Sequence, residues 1–128
     1  MARRTASRAL ATLGGIGLLT AAAIHCLAYQ GSSPAVRASN LPIDLQSAFD
    51  VAFLSMAWSW IVLAIIVLVV TFGEARLRKA IALICGFAVL IQAAFTVPVL
   101  GFFIGNELIG AASLLIIIGG LLFQGSPA

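Results

Sequence analysis

The sequence predicts an all-α integral membrane protein, with four transmembrane helices in one compact bundle. Three observations predict it. Of 128 residues, 62% are hydrophobic and only 9% charged, where a soluble domain carries about a quarter charged residues. The charges are placed so that four long stretches, 9–36, 51–73, 80–106 and 108–128, contain none. Within them, runs such as Trp60 to Val70 (WIVLAIIVLVV) present no polar stripe at helical spacing, which a helix packed in a water-soluble core would need. A lipid crossing must be helical here, because hydrocarbon offers no partner to an unpaired backbone amide or carbonyl, and it takes roughly 20 apolar residues. The predicted spans are 9–29, 50–72, 80–102 and 107–124.

The net charge of +3 could suggest nucleic acid, but the basic residues sit at span ends rather than on one soluble face, so no nucleic-acid partner is expected. Arg3, Arg4 and Arg8 precede the first span, and Arg76, Arg78 and Lys79 lie between the second and third. Only Arg37 falls in the first connection. Because positive charge is retained on the cytoplasmic side, this asymmetry predicts both termini and the 73–79 loop inside, with the 30–49 loop and the 103–106 turn outside. The expected location is a bacterial inner membrane.

Residues 1–29 have the basic start and apolar run of a signal peptide, with Ala21, Ala22 and Ala23 imitating a cleavage region. The apolar run continues through Ile24, Cys26, Leu27 and Ala28, longer than the usual signal core, so the segment is expected to stay as the first span. Cys26 and Cys85 fall in opposite thirds of their spans, too far apart in depth for a disulfide. Without a Cys-x-x-Cys or Cys/His spacing there is no metal signature.

Between the first two spans, Gly31, Ser32, Ser33, Pro34 and Asn40 favour irregular chain, making 30–49 an external loop. Pro42 suits a helix start, with Ile43, Leu45, Phe49 and Phe53 along one side, so the connection includes an interfacial helix or a second helix that begins outside. Spans three and four are joined by a hairpin around Gly105 and Asn106. Small residues at helical spacing, Gly14, Gly17 and Ala21 in the first span and Ala82, Gly86 and Ala93 in the third, mark faces where helices approach closely. Leu114 to Ile118 are expected to offer a face to lipid or a partner.

Sorted by depth, the polar residues His25, Tyr29, Asp50, Ser55, Ser59, Gln92, Thr96, Asn106 and Glu107 all fall in the outer half or the midplane. An ionisable group within a membrane is the default site hypothesis. His25 is therefore the leading candidate, because imidazole can donate, accept or shuttle a proton near neutral pH. Asp50 and Glu107 are candidate catalytic partners at the outer rim, although both are also explained as acids near helix N-termini. His25, Tyr29, Ser59, Gln92 and Trp58 are candidate ligand contacts. Trp58 and Trp60 lie too deep for an interfacial belt if their span starts near Asp50. The simplest alternative for His25 is a neutral bond to Gln92, Ser59 or a backbone carbonyl.

The function these residues suggest is a helix-packing interaction or accessory subunit of a homo-oligomer or larger membrane complex, with membrane lipids and other membrane subunits as partners. One alternative is a membrane-embedded enzyme acting on an isoprenoid, sterol or lipid, with His25 as acid or base. Another is a small dimeric transporter or channel, which would lack a midplane carboxylate. No cofactor is expected. Haem through His25 would require a second copy of the chain or a different axial ligand, since the chain has one histidine.

Overall fold

A computed structural model describes residues 2–73, 77–101 and 103–123. It holds four helices: α1 (Ala2–Arg37), α2 (Ile43–Phe72), α3 (Arg78–Leu100) and α4 (Ile104–Leu122). There is no strand among the described residues, and each helix is long and apolar enough to cross a membrane. Helix α1 packs along α2 on one side and α4 on the other, α3 packs along α4, and the α2–α3 seam is the lightest of the four. Neighbouring helices run antiparallel, so Ala2 and Leu122 lie at the same end of the bundle.

Small residues set the packing, as the sequence leads one to expect. In lipid no hydrophobic drive holds helices together, so close backbone approach supplies the dispersion and hydrogen bonding that does. A methyl group added at Gly14 would lie 2.5 Å from Ile116 Cγ1 and 2.7 Å from the Ala112 carbonyl oxygen, and one at Gly119 only 2.8 Å from the Ala11 nitrogen. At the same crossing Ser7 Oγ donates to the Gly119 carbonyl at 2.8 Å. The glycine stripe divides between two neighbours: Gly14 and Gly17 meet α4, whereas Gly15 meets Leu68 of α2. On α3, Gly86 stands against Ile117. Of the α4 segment expected to meet lipid or a partner, Leu114 and Ile118 are exposed but Ile116 and Ile117 are buried in the bundle.

Three features differ from the sequence expectation. First, residues 30–37 are helical rather than a loop; with α2 starting at Ile43, as Pro42 suggested, the connection is only five residues, 38–42. Pro34 lies inside α1, where it removes one backbone donor. The last turns nevertheless hold because Ser32 Oγ donates to the Ala28 carbonyl at 2.9 Å while Ser33 and Arg37 bind α2. Second, the α3–α4 turn is at 101–103, not at Gly105–Asn106. Gly101 has φ +71°, a conformation that suits glycine at a helix end. Asn106, in the first turn of α4, donates from Nδ2 to the Gly101 carbonyl at 3.0 Å and accepts at Oδ1 from Thr96 at 2.8 Å. Third, α2 starts at Ile43, so Asp50 stands about two turns inside the helix and does not cap it.

These bounds give the two hairpins different lengths. Gly17 touches Ala112, so in an antiparallel pair His25, eight residues beyond Gly17, is level with Ile104, eight residues before Ala112. Helix α4, with 19 residues, is about 28 Å long, close to the roughly 30 Å of a bilayer's hydrocarbon. From His25 to Arg37 the α1–α2 hairpin continues about 18 Å past the start of α4.

An added methyl at position 119 meets backbone, which cannot rotate away. Gly119→Ala is therefore expected to destabilise the folded bundle by about 1–3 kcal/mol through overpacking. Gly31→Ala, where a methyl meets nothing within 4 Å, should be neutral or stabilising by up to ~1 kcal/mol. Unfolding titrations in mixed micelles check both; equal effects would refute the close-contact account.

Candidate functional site

His25 and its neighbours occupy the level where the α1–α2 hairpin leaves the four-helix body. His25 Nε2 is 3.1 Å from the Phe53 carbonyl oxygen of α2. A carbonyl can only accept, so Nε2 carries the proton and donates. The imidazole stacks on the Phe53 ring at 3.8 Å between centroids and meets the edge of Trp60 at 5.0 Å. Below it, Trp60, only 4% exposed, donates from Nε1 to Gln92 Oε1 of α3 at 2.8 Å. This is the one hydrogen bond between two side chains across the α2–α3 seam among the described residues. Gln92 thus serves Trp60 rather than His25, and Ser59 Oγ turns to the Met56 carbonyl of its own helix at 2.7 Å. The bond His25 does make is the backbone-carbonyl form of neutral interhelical contact.

Farther along the hairpin, an aromatic row runs from Phe53 through Tyr29 and Phe49. Beyond it Asp50 binds α1 at two points: Arg37 Nη2 donates to Oδ2 at 3.0 Å and Ser33 Oγ to Oδ1 at 3.2 Å. Tyr29, Ser33 and Arg37 follow one another at four-residue spacing, which aligns them on one face of a helix. That face was legible in the sequence but hidden by Gly31 and Pro34, which point to irregular chain. Ser33, Arg37, Phe49 and Phe53 are the residues of this cluster that composition and depth alone did not single out as candidates.

The candidates therefore separate. His25, Tyr29 and Gln92 lie in or beside one aromatic and polar chain. Asp50 ends that chain in an ion pair, with no hydrogen bond to His25, and Glu107 is exposed in the first turn of α4. Among the described residues neither acid is joined to His25 by a hydrogen bond or ion pair. Trp58 is 66% exposed on the outer surface of α2, away from His25. Trp58 stands near the middle of α2, at about the level of His25 and Ile104. Cys26 and Cys85 are both free thiols.

No protein-family model, curated protein or solved structure matches the chain. The cluster's polar groups are matched donor to acceptor within the chain, and its rings fill the space between α1 and α2. Chemically this is a lock between helices.

The Trp60–Gln92 pair is expected to contribute on the order of 0.6–1.7 kcal/mol, the range for interhelical bonds in lipid. A double-mutant cycle with Trp60→Phe and Gln92→Leu, read by unfolding in micelles, should return a coupling in that range. A coupling near zero would remove the bond from the account of the α2–α3 seam.

Proposed function

We propose that the protein is an interaction subunit of a membrane assembly, binding other membrane chains, whether copies of itself or different subunits, through the end of the bundle that carries the α1–α2 hairpin. The observation that carries this reading is the overhang. Two helices alone cannot cover one another, and the residues left open on this one are large and apolar: Leu27 at 65% exposure, Ile43 at 72%, Leu45 at 54% and Val51 at 69%. Where the four-helix body ends, Ile104 is 80% exposed and Phe95 75%. Apolar surface that extends beyond the bilayer's thickness has to be covered by something other than lipid tails.

The state of the polar groups supports the same reading. Acid–base chemistry needs two groups in reach of one substrate atom. In this chain the carboxylate near His25 in sequence depth is held by Arg37 and Ser33. A half-buried lock between helices, its donors and acceptors already paired, fits a scaffold better than a reaction site. With the positive charges of α1 and α3 on the cytoplasmic side, the overhang extends outward from a bacterial inner membrane.

Native mass spectrometry of the full chain, released gently from its own membrane, tests this. The expected result is a defined assembly larger than the monomer, lost when Ile43→Ser and Val51→Ser are combined and retained in His25→Ala. A monomer that persists at all concentrations would overturn the reading.

A further inference from the structure

The opposite end of the bundle holds a cluster that helix packing does not use. Arg4 and Arg8 are one turn apart on α1, where like charges at this spacing repel. Both lie at the positive end of the helix dipole, and α1 has no acid in its first turn. Arg78 opens α3, again at a positive helix end with no acid in its first turn, and lies within electrostatic reach of Arg8 and Arg4. It is only 8% exposed. Its Nη2 donates to the Gly73 carbonyl, but the Nε atoms of Arg78 and Arg8 are buried without a hydrogen-bond partner. Asp44, Asp50 and Glu107 stand at the other end of the bundle, and Glu74 lies outside the described residues. Retaining positive charge on one side of a membrane explains how many arginines are here, but it does not explain why one is buried within electrostatic reach of two others.

Beside the cluster runs an open groove of about 770 Å³, lined by Arg4, Thr5 and Arg8 at one end and by Ala9, Thr12, Leu13 and Phe72 along the rest. Leu13 and Phe72 are more than half exposed. The groove thus passes from guanidinium groups to an apolar floor over about two turns of α1, the polarity profile of a phospholipid at the edge of the hydrocarbon.

We propose that Arg4 and Arg8, backed by Arg78, bind the phosphate of an anionic phospholipid headgroup, with an acyl chain lying along Ala9, Leu13 and Phe72. The arginine fork matches phosphate oxygens two at a time. An anion there removes the repulsion among three cations and complements two helix ends at once. The site rests on the membrane reading of the chain but not on its assembly, so it can fail while the subunit proposal stands.

The test is lipid exchange on the full chain in neutral detergent, followed by native mass spectrometry with added phosphatidylglycerol or phosphatidylcholine. Wild type is expected to retain phosphatidylglycerol roughly tenfold more than phosphatidylcholine, an order of preference that two interfacial arginines can supply. Arg4→Gln/Arg8→Gln should lose that preference with helical content unchanged. Arg4→Gln alone, at an exposed position, should reduce it and keeps the test open if the double variant does not fold. Millimolar inorganic phosphate should not displace the lipid. Equal retention of the two lipids by wild type, an unchanged preference in folded variants, or full displacement by phosphate would each overturn the proposal, the last by showing a free-anion site.

Discussion

The backbone contact between α1 and α4 is the constraint on which the other helices depend. Around Gly14 and Gly119 the two helices approach so closely that a single methyl would collide with main-chain atoms. That approach fixes the register of the pair, since sliding one helix by four residues would bring Ile116 onto Leu10 or Leu18. Ser7 pins the register with its bond to the Gly119 carbonyl. Helix α4 then carries α3 through Gly86 and Ile117, and α1 carries α2 through Gly15 and the His25 cluster. The α2–α3 seam closes last, with less packing and one hydrogen bond between two side chains, an indole and an amide.

Most of the polar groups inside the bundle make sense within this frame. A polar side chain in hydrocarbon costs free energy unless it is paired; Thr71 and Ser113 bond carbonyls of their own helices, whereas Ser7 bonds α4, His25 the α2 backbone, Trp60 α3, and Asp50 bonds Ser33 and Arg37 of α1. Each boundary except α3–α4 has such a bond along its length, and α3–α4 is joined through Thr96 and Asn106 at its turn. The arginine end is the exception to this matching, which is why it, and not His25, carries the binding inference.

The four helices and their approximate centres were legible in the sequence because charge-free apolar runs are a direct signal of lipid burial. The small-residue faces were legible too, since Gly14 and Gly17 keep helical spacing. The helix ends were less so. Gly31 and Pro34 are strong signs of irregular chain, yet α1 runs through both because Ser33 and Arg37 gain a partner in Asp50, and no local rule reports a partner seventeen or thirteen residues away. Asp50 caps nothing because α2 starts at Ile43, two turns before it. Likewise Gly105 and Asn106 look like a turn, but Asn106 instead reaches back to close the turn at Gly101. At the candidate site, the sequence identified His25 and the residue types around it. It could not say that Gln92 belongs to Trp60, because pairing depends on which helices are neighbours.

The length of α1 has a mechanical consequence. One helix of 36 residues carries Arg4 and Arg8 at one end and Arg37 at the other, with the Gly14–Gly119 crossing between them acting as a fulcrum. Arg37 lies about twice as far from that crossing as Arg4 does, so a sideways movement of the overhang returns at the arginine end reversed in direction and about halved in amplitude, to the extent that the rod stays straight. Movement at one end of the bundle is thereby geared to movement at the other.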